Sequence, residues 1–446
     1  MRETFQKITH TKNPFIELFL LSIPLIVGNL GQILIGATDV FVAARHNINT
    51  LAAISIANSI LFSISIIGIG LMASISIVLA NYRGSRTPTK KFFTTSINFS
   101  ILLSILTCLI SLLSIFLVDK VGFEAHLIPM IKEYIFICSF SFFGMYVYQG
   151  IKEFLQAHEI VNFPNVLLLV ALVLHLILAF ILVFGFGPIP SLGAVGLAIS
   201  TLIIRTLMGL VMIIYCIKLF KVKTLFNFDY IKHLLKIGYP IGFALLLEFL
   251  GFNIITILMG KISAVLASTH SIVLTLASTT FMIPLAMSNA IGIKVGYFNG
   301  AKSLKQIKRY SFSGVVMVVL FMAGCSYLFF RYPEEIIKIF TDNPEVIKAG
   351  VPIIFVAAIF QVFDGLQVAL GGVLKGLKMT KTASLCTIAS YWLFGIPLGF
   401  ILAYHYNLLL LGFWIGLAVS LFLIGPIELF IILFRFKKMK KTTNKN

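Results

Sequence analysis

Two carboxylates inside long apolar stretches, Glu248 and Asp364, are the residues of this sequence best suited to do chemistry. Glu248 lies 12 residues after Lys236, and Asp364 lies 11 residues before Lys375. If both stretches are helices that cross a bilayer, the helical rise places the acids about 18 and 16 Å from the inner surface. A charge there costs roughly 2.5–3.5 kcal/mol, so each acid needs a reason to be present. Two carboxylates at matched depth can share a cation or a proton, which predicts a coupling site.

A third acid, Asp39, lies in the outer half of the first apolar stretch, about 9 Å below Arg45. Two later stretches carry His175 and Arg205, and Arg205 lies one turn beyond Thr201. A histidine inside a membrane either titrates near neutral pH or acts as a neutral, hydrogen-bonded strut, and both interpretations stay open. Arg205 is a candidate partner of Asp39.

The elements that position these groups must be membrane-spanning helices. Of the 446 residues, 59% are apolar and 11% are charged, whereas a soluble domain carries roughly a quarter charged residues. A span needs about 20 largely apolar residues, and the sequence contains twelve such stretches. It therefore predicts an all-α integral membrane protein with twelve transmembrane helices.

The formal net charge of +19 does not indicate a nucleic-acid-binding protein. The basic residues form short clusters between apolar stretches instead of one polar, basic face. Most of them fall on one side if both termini are inside, as expected for cytoplasmic loops. The five cysteines all lie in apolar stretches without CxxC spacing, which favours small packing residues over disulfides.

The second half of the chain resembles the first. With Pro24 aligned to Pro240, PLIVGNLGQILIGATDVF falls on PIGFALLLEFLGFNIITI. The prediction is two pseudo-symmetric six-helix bundles, an amino-terminal lobe (1–217) and a carboxy-terminal lobe (237–446), joined by a cytoplasmic linker (218–236). Both prolines should kink their helices.

Five segments in order resemble the MATE family of multidrug and toxic-compound extrusion transporters, and most closely its NorM branch. They are SIPLIVGNLGQILIGATDVFVA, the LAA that follows it, GYPIGFALLLEFLGF, FMIPLAMSNAIGIKVGYFNGAKSLKQIKR and FDGLQVALGGVLKGLKMTK. The resemblance covers essentially the whole chain. It implies twelve helices in two bundles, a central cleft and exchange of substrate against Na⁺ or H⁺.

The resemblance also implies roles for individual residues of the carboxy-terminal half. Acids at the positions of Glu248 and Asp364 form the cation site in the NorM branch, so Na⁺ is a candidate ligand of this pair. That branch often has a tyrosine one turn before the second acid, where this chain has Phe360. The missing hydroxyl leaves the choice between Na⁺ and H⁺ open.

In the amino-terminal half, the resemblance makes Asp39 a cation-coupling residue. Some members surround this acid with oxygen ligands, whereas this chain has His175 and Ala179 at two of those positions and keeps Thr201. The expectation is that Asp39 binds no ordered Na⁺ and is neutralised by Arg205 or by a proton.

Taken together, these patterns predict a cation-coupled antiporter of a bacterial inner membrane, with both termini in the cytoplasm. It would export small, often cationic organic compounds by alternating access, as a monomer in lipid and without a cofactor. The alternative is a flippase of lipid-linked or polysaccharide precursors from the same superfamily. An enzyme is disfavoured because the sequence contains no HExxH or GxSxG motif.

Overall fold

The structure, a computed structural model, describes residues 13–220 and 226–443. Twelve of its helices are long and apolar enough to cross a membrane, which confirms the predicted all-α fold. In the described ranges, strand-like pairing is limited to one isolated bridge between Phe186 and Ile189. These twelve helices are α1 (Pro14–His46), α2 (Ile48–Gly84), α3 (Phe93–Val118), α4 (Ile128–Ala157), α5 (Asn162–Phe184), α6 (Gly193–Phe220), α7 (Phe228–Ile262), α8 (Ala264–Gly300), α9 (Leu304–Arg331), α10 (Pro344–Gly376), α11 (Thr380–His405) and α12 (Leu409–Thr443).

Serine hydroxyls inside the helices bond to the backbone of their own helix. On α3, Ser96, Ser100 and Ser104 each donate to the carbonyl four residues earlier, at 2.8–2.9 Å. A bilayer offers no water to these groups, so each needs an internal partner. The same small side chains allow close packing, because a Cβ on Gly150 of α4 would lie 2.0 Å from the Ser100 hydroxyl oxygen.

Glycines determine how closely α4 approaches α6. A Cβ on Gly144 of α4 would lie 2.3 Å from the carbonyl oxygen of Arg205 on α6, and one on Gly209 would lie 3.0 Å from the carbonyl oxygen of Gly144. Such close backbone approach is typical of membrane helices that pack through small residues. Arg205 is therefore held against α4, which decides what its side chain can reach.

The chain divides into two compact units whose boundaries fall inside helices. One unit is Val27–Gly242, and the other combines the residues up to Ile26 with those from Phe243 onward. The boundaries thus differ from the predicted lobes, 1–217 and 237–446. The reason is that the first segments of α1 and α7 each pack with the unit formed mainly by the other half of the chain.

A proline precedes each of the two boundaries between the units along the chain. Pro24 and Pro240 lie inside continuous helices, each shortly before the boundary between the units. The predicted linker 218–236 is also shorter than expected, since α6 reaches Phe220 and α7 begins at Phe228. The middle of that linker lies outside the described residues. The predicted kinks stay a prediction.

The least regular helix is α11. Its residues Ala389–Gly395 form π-helical turns, a feature that is frequent at functional sites. These turns carry Tyr391 and Trp392, and the indole Nε1 of Trp392 donates to the carbonyl of Leu247 on α7 at 3.0 Å. This bond fixes α11 beside the residue that precedes Glu248.

Candidate functional site

The two carboxylates of the predicted coupling site come together in the structure. Glu248 on α7 and Asp364 on α10 are close enough to interact electrostatically. Asp364 is buried and Glu248 is partly buried. Tyr391 of α11 lies close enough to Glu248 for its hydroxyl to interact with the carboxylate. The site therefore gains a hydroxyl group that sequence reasoning did not identify.

The residues one turn before Asp364 differ sharply in character. Phe360 packs edge-on against Trp414, with ring centroids 5.4 Å apart, inside an apolar cluster. Gln361 beside it is 1% exposed, and neither of its amide atoms has a hydrogen-bond partner among the described residues. Residues i and i+3 of a helix are neighbours on its surface, which places Gln361 next to Asp364. The sequence signal that could have identified Gln361 is an uncharged amide within an apolar helix.

A cation at this site would need neutral oxygen ligands in addition to the two acids. Within residues 13–220 and 226–443, no group of three or more His, Cys, Asp or Glu side chains is placed to hold a metal ion. Hard cations bind carboxylate, carbonyl and hydroxyl oxygens. Gln361 and Tyr391 supply two such oxygens near the pair. The residues present therefore fit a cation, and the predicted Na⁺ at Glu248 and Asp364 stays a prediction.

A second set of ionisable groups lies near the carboxy-terminal end of α10. It was not identified as a site from the sequence. Lys375 is partly buried and interacts electrostatically with both Glu248 and Glu428 of α12. Glu428 is 0% exposed, and neither of its oxygens has a hydrogen-bond partner within the described part of the chain. Sequence reasoning places Lys375 in a cytoplasmic loop, because a basic residue at the end of a span usually reaches the surface.

Asp39 forms a buried pair with His175. The Nε2–H of His175 on α5 donates to Oδ1 of Asp39 on α1 at 2.7 Å, and the two residues are 0% and 3% exposed. The other imidazole nitrogen, Nδ1, has no partner in the described residues. The structure thus places a hydrogen-bonded imidazole beside the acid, and both interpretations of His175 stay predictions.

Arg205, the candidate partner of Asp39, has a different hydrogen-bond partner in the structure. Arg205 donates to the Ser141 hydroxyl at 3.0 Å, because the glycine contacts hold this part of α6 against α4. Thr201, one turn earlier, is buried, and its hydroxyl has no partner among the residues that the structure describes. Ala179 is buried and offers no ligand atom beyond its backbone.

Other basic residues assigned to cytoplasmic loops are also buried. Lys294 of α8 donates to Oε1 of Glu17 on α1 at 2.6 Å, and the Tyr310 hydroxyl of α9 donates to the other carboxylate oxygen. Lys152 and Glu153 lie next to each other on α4 and are 3% and 6% exposed. The burial of Lys294 and Lys152 was not predicted, because a basic residue near the end of a span usually reaches the surface.

Comparisons with known proteins agree with this architecture. The sequence model of the MatE family matches residues 24–181 and 240–401. A probable multidrug resistance protein NorM from Mesorhizobium japonicum is 30% identical over 428 residues, which cover 91% of each chain. The multidrug resistance protein NorM of Photobacterium profundum is 26% identical and covers 91% of this chain and 92% of its own.

A solved structure shows the same fold. The crystal structure of the eukaryotic MATE transporter AtDTX14 superposes with a TM-score of 0.84, covering 97% of this chain and 99% of that one. The two chains are 21% identical in sequence. The similarity extends over the full set of twelve spans.

Proposed function

The chain belongs to the MATE family of transporters, and from this premise we propose that it exports small, often cationic organic compounds by antiport against Na⁺ or H⁺. Members of this family are integral membrane transporters, not enzymes. The single observation that carries the proposal is the pair of Glu248 and Asp364, which lies within two membrane-spanning helices with Asp364 buried and Glu248 partly buried.

The pair explains how cation and substrate movement can be linked. Two carboxylates that repel each other in a poorly solvated site are stabilised when a cation binds to both or when a proton neutralises one of them. An occupied and an empty pair therefore differ in charge. If the transporter changes conformation readily only with a neutralised pair or with bound substrate, the outward step of one ligand is coupled to the inward step of the other.

Asp39 would contribute to the coupling of cation and substrate movement in a different way from Glu248 and Asp364. His175 already donates to this carboxylate at 2.7 Å, so one carboxylate oxygen has a partner within the protein. An ordered Na⁺ would not be required there. The Thr201 hydroxyl would remain available to a substrate or to water.

The proposed location is a bacterial inner membrane, with the termini and the basic loops in the cytoplasm. The clusters of Lys and Arg between the helices support this orientation. Residues 1–12 and 444–446 at the two termini lie outside the described residues. The proposed working form is a monomer that binds drug-like substrates and lipid and needs no cofactor.

Counterflow in proteoliposomes tests the proposal. Purified protein is reconstituted with a fluorescent organic cation inside, and a Na⁺ or H⁺ gradient is imposed. An antiporter should move the dye against the cation and acidify or load the lumen in return. Movement of a lipid-linked sugar without any cation flux would instead favour the flippase alternative.

A further inference from the structure

Arg205 lies in the middle of a membrane-spanning helix, and its one hydrogen bond within the described residues goes to the neutral Ser141 hydroxyl, at 3.0 Å. We propose that Arg205 binds the carboxylate group of an organic substrate, together with the Thr201 hydroxyl one turn earlier on α6. The inference rests on the proposed function and deepens it, because it adds compounds that carry a carboxylate to the exported cations.

The depth of Arg205 within α6 is the first support. Arg205 lies 12 residues after Gly193 and 15 residues before Phe220, the two ends of the helix. The helical rise makes these distances about 18 and 22 Å. Long basic side chains reach the interface only from positions near helix ends, and an ionisable residue deeper in a span usually marks a substrate or ion pathway. An arginine at this depth therefore needs a partner of opposite charge.

The direction of Arg205 is the second support. The exposed apolar side of α6 is formed by four residues with exposed fractions of 39–53%, Ile203, Leu207, Leu210 and Ile214. With 3.6 residues per turn, Arg205 leaves the helix about 140–180° away from each of them. Thr201 and Met208, which lie on the same face as Arg205, are buried. The guanidinium therefore points into the unit Val27–Gly242, towards Ser141 of α4, and away from lipid.

The guanidinium of Arg205 has donors left for a ligand. An arginine carries five N–H donors, and only Nη1 of Arg205 is bonded, to the Ser141 hydroxyl. Asp39, the acid expected to neutralise Arg205, accepts a hydrogen bond from His175. Across residues 13–220 and 226–443, no carboxylate forms an ion pair with Arg205. A carboxylate that enters this site would form the ion pair that the protein itself does not supply.

Thr201 adds a second polar group on the same face of α6. This residue is 2% exposed, and its hydroxyl has no hydrogen-bond partner in the part of the chain that the structure describes. Residues four apart on a helix are neighbours, with Cβ atoms about 5–6 Å apart. The planar guanidinium matches the geometry of a carboxylate, and the second carboxylate oxygen can accept from the Thr201 hydroxyl. A bound carboxylate would thus also satisfy a buried hydroxyl that is costly to leave unpaired.

A matched pair of dyes tests the proposal. Rhodamine B carries a free carboxylate on a cationic dye, and its ethyl ester is the same cation without the acid. Export of each dye by the full-length protein in proteoliposomes is measured under an imposed Na⁺ or H⁺ gradient, and the half-saturating dye concentration is determined. Fluorescein, which carries a carboxylate and no cationic group, distinguishes organic acids from zwitterions as ligands of the site.

Arg205→Met removes the guanidinium and keeps a long apolar side chain. The half-saturating concentration of rhodamine B should rise by about tenfold, the loss expected for a hydrogen-bonded charged group, whereas that of the ester should stay equal or fall. Arg205→Lys keeps the charge and loses the planar fork, so the rise should be smaller. Thr201→Val should also raise the value for rhodamine B alone. Arg45→Met, at an exposed position of α1, is the matched control and should equal the parent for both dyes.

A rise confined to dyes with a carboxylate supports the proposal. If it is seen with rhodamine B alone, the ligands are zwitterions, and if fluorescein behaves alike, they include organic acids. An equal change for rhodamine B and its ester, or no change for either, overturns the inference and leaves Arg205 as a structural partner of Ser141. If Arg205→Met does not fold, Arg205→Lys provides the same comparison. Export of the ester alone by the parent overturns only the inference, and export of neither dye overturns the proposed function as well.

Discussion

The imidazole of His175 donates to the carboxylate of Asp39 at 2.7 Å, and both side chains are buried. This contact occupies one carboxylate oxygen that a sodium site would use. We therefore expect no ordered Na⁺ at Asp39 in an experimental structure determined in sodium buffer. Ion density at Asp39 with oxygen ligands at sodium distances would contradict this expectation.

The buried ion pair of Glu17 and Lys294 should contribute strongly to stability. Lys294→Met leaves the carboxylate buried without its positive partner, which costs about 3–5 kcal/mol for a buried pair. The expected result is a clear fall in the melting temperature of the purified protein in detergent. Lys305→Met, at an exposed position of α9, should change it little.

Adding Glu17→Gln to Lys294→Met provides the internal check on this pair. The double variant no longer buries an unpaired charge, so part of the lost stability should return. If the single and double variants melt alike, the stability does not depend on the pairing of the two charges.

Gln361 should show opposite effects on stability and on function. Its buried amide has no hydrogen-bond partner in the described residues, which costs about 1–3 kcal/mol. Gln361→Leu should therefore raise the melting temperature and also raise the cation concentration needed for half-maximal dye export. Gln367→Leu breaks a bond to Thr387 and should lower stability instead. A Gln361→Leu variant with unchanged cation dependence would exclude the amide as a ligand.

His158, just beyond the carboxy-terminal end of α4, should make stability depend on pH. Its Nδ1–H donates to the Phe154 carbonyl, and its Nε2 accepts from the Thr89 hydroxyl, both at 2.8 Å. Burial lowers the pKa of His158 to about 4. Since its folded pKa lies below the unfolded value of about 6.5, its contribution is complete above pH 6.5 and is lost as pH falls towards 4.

Melting temperatures of the parent and of His158→Gln between pH 7 and pH 5 check this expectation. Through His158, the parent should lose up to about 1.4 kcal/mol of stability for each pH unit below the unfolded-state pKa of this imidazole. The variant should lose less. His126→Gln, at an exposed position, should keep the parental pH dependence, and an equal slope in all three proteins would refute the assignment.

The number of spans and the pairing of two acids at one depth could be predicted from the sequence, for a physical reason. Apolar runs of sufficient length have few alternatives to spanning a membrane. The depth of a residue within a span can be counted from the helical rise. Counting residues is therefore enough to predict that Glu248 and Asp364 lie at the same depth in the membrane.

Counting residues does not predict the direction in which a side chain leaves its helix. Arg205 and His175 are both candidates for Asp39 by sequence, and the choice depends on the glycines that hold α6 against α4. Lys294 and Lys375 lie near helix ends, where a basic residue usually reaches the surface. Their burial follows from the packing of helices distant in sequence, which residue spacing along one chain does not encode.

The proposed coupling site is tested most directly by the coupled export of a fluorescent organic cation from cells that carry Asp364→Asn, under an imposed Na⁺ or H⁺ gradient. We expect export to fall to the level of cells without the transporter, while the protein reaches the membrane in normal amounts. Glu248→Gln should do nearly the same, and the double variant should be little worse, because the two acids act as a unit. Glu345→Gln, which alters an exposed acid on the same helix as Asp364, should export normally. Export at the parental rate by Asp364→Asn, present at normal levels, would show that the assigned coupling site is wrong.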